Sequence, residues 1–504
     1  MLTFSAQTRA ASLARMAEDA FDVLVIGGGI TGTGIALDAA SRGLSVALVE
    51  KDDFAAGTSG RSSRLVHGGL RYLEHGDLGL VRESLRERGT LYRLAPHLVR
   101  PVPMYMLAGD RRHRALYRAG LTVYEALAAG RNIGYHQGVS ADQVAAAIPG
   151  LGERTRGVRY FECQTDDARL TIEVARTARA HGALLANHAR VTGLLGQSRV
   201  TGAAVTDELT GQGFEVRARA VVNAAGIWAA EVEGLSGQSP VRLSPSKGVH
   251  LVFAPGAVRT TAAMVAPAAD GRYVFIVPWE DRVYAGTTDT PYDGDLDSPA
   301  VGEADRDYIL SAVTPLFPGV TGRDVVASWA GLRPLLGGSD GDAETADLSR
   351  KHAIFDEPPG LFTITGGKLT TYRAMAQDLV DRVAAALGTT ARCRTRDIPL
   401  GLHGSPAAAV WLARDEVRRL GLPPPAAARL VQRYGDDWRE AVALIEADRS
   451  LGEPAVAGLP VLGVELALAR SREMALTDDD VLVRRTRLTT RDASVRSLRL
   501  IPSA

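Results

Sequence analysis

The 504-residue chain contains only two cysteines, Cys163 and Cys393, far apart in sequence. A disulfide framework and a cysteine-built metal cluster are therefore excluded, no residue is assigned to a metal, and the usage fits a reducing compartment. No apolar run approaches the roughly 18 to 20 residues needed to cross a bilayer. The first twenty residues carry Arg9, Arg15, Glu18 and Asp19 and lack the apolar block of a signal peptide. They are expected to form a short surface helix or to stay disordered, in a chain that is cytosolic or attached to a membrane peripherally. A charge bias is also missing: Lys+Arg and Asp+Glu both number 58, so no overall field recruits nucleic acid. A local basic pocket stays open. Internal repeats and long low-complexity segments are absent. What remains is ordinary globular composition, 46% hydrophobic and 23% charged, over a length that suits two or three domains.

The stretch Phe21-Asp22-Val23-Leu24-Val25-Ile26-Gly27-Gly28-Gly29-Ile30-Thr31-Gly32 organises the reading. Val23 to Ile26 suit a strand buried on both faces. Gly27 allows a tight turn, Gly29 lets backbone approach a pyrophosphate, and Gly32 lets the next helix pack close to the strand. Phosphate oxygens would sit at that helix N-terminus, where N–H groups and the dipole favour an anion. The helix stops at Gly43, and a second buried strand, Ser45 to Val49, delivers Glu50 to the ribose hydroxyls of an adenosine. A glutamate there disfavours a 2′-phosphate, which leaves NAD or FAD.

The following loop, Lys51 to Arg64, is rich in small hydroxylated residues. Thr58, Ser59, Ser62 and Ser63 suit the remaining length of an extended dinucleotide, although a plain solvated loop reads the same way. In Leu65-Val66-His67-Gly68-Gly69-Leu70-Arg71-Tyr72-Leu73-Glu74, paired glycines would let backbone approach a flat ring system, with Arg71 just beyond. This segment resembles the FAD-dependent (aerobic-type) glycerol-3-phosphate dehydrogenases, within the D-amino-acid-oxidase-like flavoprotein superfamily. The resemblance extends from Phe21 to about Arg491 through motifs at Lys247 to His250, Gly286 to Asp289, Gly331 to Leu335 and Gly366 to Arg373.

Elsewhere the residues speak for themselves. Leu80 to Leu98 spaces Arg82, Glu83, Arg86, Glu87 and Arg88 between leucines, which predicts a helix with a solvated charged face. Arg111-Arg112-His113-Arg114 reads as an exposed helix start in preference to a contact for anionic lipid. Ala168 to Ala180 reads as a helix, Ala183 to Val191 as a strand, and Gln197 to Ala218 as a β-meander. Val241 to Arg350 alternates in hairpins, including Tyr273 to Trp279 turning at Glu280-Asp281. Beyond Pro399 helical blocks follow that carry no obvious chemistry.

The expected fold class is α/β: a Rossmann-like FAD-binding domain with an inserted antiparallel β-sheet substrate domain, plus an all-α C-terminal domain. The expected boundaries are 21–110, 155–235 and 355–385 for the discontinuous nucleotide domain, 111–154 and 236–354 for the substrate domain, and 395–504 for the helices. The resemblance implies oxidation of sn-glycerol 3-phosphate to dihydroxyacetone phosphate with FAD as cofactor. Electrons would pass to a membrane quinone from a cytoplasmic protein held peripherally on the inner face of the cytoplasmic membrane. A homodimer stays open. A glycerol-3-phosphate oxidase using O2, or an FAD-dependent amine or amino-acid oxidase, are the alternatives.

For the cofactor, His67 (in a backbone-fixing role), Gly68, Gly69, Leu70, Val191, Ala225, Gly226, Gly366, Gly367, Lys368, Leu369 and Thr370 join the residues above. Lys368 and the dipole of the helix that follows it would stabilise a reduced flavin. For the substrate phosphate, Arg71, Arg333 and Arg350 are carried over by motif, with Tyr72, Thr287 and Lys368 beside them. Arg333 is the most constrained, because an arginine among apolar residues needs a partner. His250 is the candidate base, and a structural histidine is its rival reading; Arg333 and Arg71 complete the catalytic set.

Overall fold

The computed structural model describes residues 4–74, 76–237, 241–268, 270–337 and 351–497. The strand Ala20–Ile26 lies between Val46–Val49 and Gly213–Asn223, parallel to both. The sheet continues to Leu184–Ala186 on one side and to Leu361–Thr365 and Ala353–Phe355 on the other. Its central strands are apolar on both faces because both are covered. Helices Ile30–Ser41, Asp167–Ala180 and Tyr372–Leu387 pack together on one face. On the other lies the meander Ala189–Leu195, Gly202–Asp207 and Gly213–Asn223. The expected strand from Ala183 to Val191 is broken in two at His188, whose φ is +50°.

A second sheet, ten strands among the described residues, is largely antiparallel. Its longest pair is Leu243–Phe253 with Val325–Leu336, toward one end of the sheet, and the hairpin Tyr273–Trp279 to Arg282–Gly286 turns at the expected Glu280-Asp281. Leu65–Val66, Arg100–Leu107 and Gly157–Gln164 also belong to this sheet. The sequence boundaries had grouped all three with the nucleotide domain, so the two units interleave more often than expected.

One reading of a charged helix is corrected, and for the N-terminal segment the surface-helix alternative holds. In Leu78–Leu94 the side chains of Glu87 and Arg88 are buried, not solvated: Arg373 Nε lies 2.7 Å from Glu87 and Arg88 Nη1 2.7 Å from Glu162. The N-terminal helix Ala6–Glu18 is ordered against the sheet, with Arg9 buried and 2.6 Å from Asp207. By contrast Arg111–Leu127 starts with its arginines exposed, as expected.

The C-terminal helices form their own core around Leu430, Trp438, Ile445 and Leu468. They meet the rest of the chain through buried ion pairs. Arg485 grips Asp53 at 2.5 and 2.8 Å, and Arg484 reaches the same carboxylate at 2.6 Å. Arg487 binds Asp166 at 3.0 Å and also Asp167, and Arg491 binds Glu280 and Asp281. Among the described residues no helix is long and apolar enough to cross a membrane.

Candidate active site

A cleft of about 290 Å³ runs across the C-terminal ends of the parallel strands, where such sheets bind ligands. Gly27, Gly29, Glu50, Thr58, Ser59, Ser62, Val191, Ala225, Gly226, Gly366, Gly367, Lys368 and Leu369 all line it. The glycines are required sterically. A Cβ at Gly32 would lie 1.9 Å from the Gly27 carbonyl oxygen, and one at Gly27 (φ +114°) 2.6 Å from that of Ala224. The helix Ile30–Ser41 starts at Gly29 without a side-chain cap, leaving its N-terminus toward the cleft for an anion. Glu50 Oε2 accepts from the Gly28 N–H at 2.6 Å and Oε1 from Asp52 at 2.9 Å. Burial raises the Glu50 carboxyl above its ordinary value, against those two hydrogen bonds. The indole of Trp228, with the Lys51 ammonium 4.1 Å above it, also walls the cleft. Its Nε1 is buried with no hydrogen-bond partner among the described residues, a donor that a bound nucleotide would satisfy. The cradle therefore fits an extended dinucleotide.

At the far end the cleft shares Thr58, Ser62, Pro334 and Gly366 to Leu369 with a second chamber, walled also by Ser63, His67, Tyr72, His250, Thr287, Arg333 and Thr370. His67 holds its place through its backbone N–H, which donates to Thr370 Oγ1 at 3.2 Å. Gly69, Leu70 and Tyr72 line an apolar recess behind it. Gly68 lines none of these spaces: a Cβ there would sit 2.3 Å from the Tyr124 hydroxyl, so it serves packing. Arg71 lies in the short helix Leu70–Glu74, and its side chain is outside the described part; Arg350 lies outside the described residues altogether.

Arg333 hangs from the strand Val325–Leu336 in a ring of acceptors. Nη1 donates to Ser246 Oγ and Asp289 Oδ1, each at 3.2 Å, and Nη2 to Thr287 Oγ1 at 3.2 Å and the Thr288 carbonyl at 3.1 Å. Gly248 opposite has to be bare, because a Cβ would come within 2.6 Å of Nη2. Lys368 Nζ donates to Ser84 Oγ at 3.0 Å and lies 4.0 Å above the Tyr72 ring. Two cations, Arg333 and Lys368, thus line one chamber, residue types suited to a phosphate.

His250 is buried, its ring stacked on Trp329 at 4.6 Å. Its Nε2 shares a 2.9 Å hydrogen bond with Ser63 Oγ, whereas Nδ1 is enclosed with no partner among the described residues. Burial, with Arg333 and Arg64 adding repulsion, pushes the imidazole well below its ordinary pKa. The neutral imidazole is favoured, and Nε2 is the ring nitrogen that faces Ser63. Sequence reasoning had Ser63 facing the cofactor; the structure also makes it the partner of His250. It overlooked Ser246, Asp289 and Arg272, although Asp289 closes the Gly286-Thr287-Thr288-Asp289 motif and Arg272 lines the apolar recess beside it.

Comparison with known proteins agrees with this geometry. Residues 22–382 match the family model described as FAD dependent oxidoreductase, and 393–501 the C-terminal domain of alpha-glycerophosphate oxidase. Glycerol-3-phosphate dehydrogenase 1 of Mycobacterium tuberculosis is 42% identical over 509 residues, covering 96% of this chain and 94% of that one. The aerobic glycerol-3-phosphate dehydrogenase of Staphylococcus haemolyticus is 38% identical over 490 residues, covering 92% and 86%. The crystal structure of the Bacillus halodurans glycerol-3-phosphate dehydrogenase complexed with FAD superposes with a TM-score of 0.78 at 34% identity, covering 97% of this chain and 90% of that one. With a nucleotide cradle, a cation-walled chamber and a helical domain all in the same order along the sequence, the chain belongs to the FAD-dependent glycerol-3-phosphate dehydrogenases.

Proposed function

We propose that the protein oxidises sn-glycerol 3-phosphate to dihydroxyacetone phosphate and passes the electrons to a membrane quinone. The observation that carries this reading is Arg333, held by Ser246, Asp289, Thr287 and Thr288 on the wall that also presents His250 and adjoins Gly366 to Lys368. FAD, when bound in the cleft, supplies the acceptor for the two electrons and the hydrogen that leave the alcohol carbon. Arg333 and Lys368 bind the phosphate, and Arg71, Tyr72, Thr287 and Arg350 complete the substrate site by motif. Gripping the substrate at a group remote from the reacting carbon turns binding energy into orientation. The hydroxyl proton leaves to His250 Nε2 by way of Ser63, and the two negative charges of the bound ester raise the proton affinity of an imidazole that is otherwise depressed. The names of the relatives support the substrate, and the side chains of Leu65, Leu70, Met104 and Phe275 around His67 suit a site that limits water.

Anaerobic addition of glycerol 3-phosphate should bleach the visible flavin band, with glycerol, glycerol 2-phosphate and amino acids far less effective. Equal bleaching by an unphosphorylated alcohol or an amino acid would overturn the reading. Reduction of a quinone without peroxide separates the dehydrogenase from an oxidase.

A further inference from the structure

We propose that the C-terminal helical domain fixes the position of the His250 imidazole through a stack of alternating guanidinium groups and rings: Arg491, Trp279, Arg64, Trp329, His250. The Arg491 guanidinium lies 4.8 Å from the centre of the Trp279 ring, and that of Arg64 3.9 Å from Trp279 and 4.6 Å from Trp329. The Trp329 and His250 rings are 4.6 Å apart and within 9° of parallel. All five side chains are buried or nearly so, apart from the partly buried Trp329, so the contacts operate in a medium where a cation over an aromatic face is strong.

Arg64 shows why this is more than core packing. It is fully buried at φ +55°, and its Nε and Nη1 have no hydrogen-bond partner among the described residues. A guanidinium in that position is tolerable only if something else meets its charge, and the two indoles do so. Burial and the neighbouring Arg487 lower its pKa to about 10, the direction expected for a cation whose compensation is ring faces and more distant carboxylates. The same loop is tied into the stack by its neighbours. Trp329 Nε1 donates to the Ser62 carbonyl at 3.2 Å, and the Tyr284 hydroxyl to that of Ser63 at 2.7 Å. Tyr284 packs edge-on against both His250 and Trp329.

The C-terminal domain holds this assembly at two points, the turn after Trp279 and the loop that carries Arg64. Arg491 is anchored on Glu280 and Asp281, in the turn that follows Trp279. Arg487 holds Asp167, which in turn receives the Ser62 N–H at 2.8 Å and its hydroxyl at 2.7 Å. A helical domain remote in sequence is thereby coupled to the His250 imidazole on the chamber wall, and Arg491, Arg64 and Trp329 act as positioning residues. The catalytic consequence rests on His250 being the proton acceptor proposed above; the positional claim does not.

Two readouts on the FAD-loaded enzyme keep these apart. The first is the rate at which diethyl pyrocarbonate modifies His250, followed by peptide mass. The second is anaerobic flavin reduction by glycerol 3-phosphate, split into its limiting rate and its half-saturating concentration. Arg491→Met and Trp329→Leu should each speed modification of His250 about tenfold. Each should also slow the limiting rate about tenfold, with half-saturation within about twofold, because a small misplacement of a reacting group costs rate more than binding. Arg491→Lys and Trp329→Phe, which keep a cation and a ring, should recover most of both. The double variant should be little worse than either single one if both act through the same stack. Unchanged modification rates, or losses that simply add, would overturn the proposal. Should Arg491→Met fail to fold, Trp329→Leu carries the same test. Faster modification with flavin reduction at full speed would support the stack and remove His250 from the proton step.

Discussion

Around Gly27 the chain closes on itself through backbone and alkyl groups in van der Waals contact; around Asp53, a short way further along, it closes through charge. The nucleotide turn is built on a short run of sequence that packs against Glu50, Ser59 and Ala224, and its tolerance is steric. The C-terminal seam brings Arg484 and Arg485 against an aspartate more than 430 positions away, and its tolerance is electrostatic. The two regions meet along one loop, yet they should fail in different ways. Steric failure is abrupt and local, whereas an ion pair can be removed whole at little cost but not by halves.

The largest effect should come from Gly32→Val. With a Cβ 1.9 Å from the Gly27 carbonyl oxygen, the strand and helix have to separate, and the phosphate cradle opens with them. The purified protein is expected to be colourless and to take up no added FAD. A normal flavin complement would break the steric half of the comparison.

Next is Asp53→Ala, which strands two buried guanidinium groups; about 3–5 kcal/mol of stability should be lost in a denaturant or thermal melt. Replacing Asp53, Arg484 and Arg485 together by leucine or methionine should return most of it, since buried charge clusters often exchange for apolar residues of similar volume. If the triple variant is no better than the single one, the seam is not electrostatic in the sense argued here.

Arg333→Ala probes the site between the two regions. Loss of a charge-assisted contact to phosphate should lower kcat/KM for glycerol 3-phosphate about 100-fold, or roughly 2.7 kcal/mol, mostly through KM. An unchanged KM in steady-state assays with a quinone acceptor would take Arg333 out of the phosphate site.

The same contrast explains what could be read from the sequence. The strand at Val23, the turn at Gly27 to Gly32, the hairpin at Glu280-Asp281 and the helix start after Gly367 all rest on short-range patterns, and they stand where expected. Arg333 and His250 were found because their neighbours on the same strand are apolar. The face of Leu78–Leu94 was misread because Glu87 and Arg88 at helical spacing look alike whether their partner is water or, for Glu87, an arginine 286 positions away. Arg100–Leu107 went unassigned to the second sheet because Pro101 and Pro103 disguise a strand whose partners come from elsewhere in the chain. Ser246 and Asp289, which hold Arg333, were invisible for the same reason: their meaning lies across the sheet, not along it.

His97 tests whether the seam's charge pattern is felt as pH dependence, and it carries the smallest of these effects. It lies in the turn after Leu94, fully buried, with neither ring nitrogen hydrogen-bonded among the described residues. A Cβ on Gly435 of the C-terminal domain would come within 3.1 Å of its Nε2. Burial first, and then the guanidinium groups of Arg169 and Arg176, push its pKa down to about 3, against a smaller opposite pull from Asp436. The folded chain therefore keeps the imidazole neutral where the unfolded chain, with a value near 6.5, binds a proton. Its contribution is intact above about pH 6.5 and declines as pH falls toward about 3, because the unfolded state is the one that gains from protonation. Between pH 7 and about pH 5 this amounts to about 2 kcal/mol. His97→Met should abolish that part of the slope, so stability curves of the two proteins, measured by denaturant melts across this range, should converge or cross toward acid pH. Parallel curves would mean that the imidazole is solvated or paired in the folded chain, and that the seam's arginines do not govern its charge.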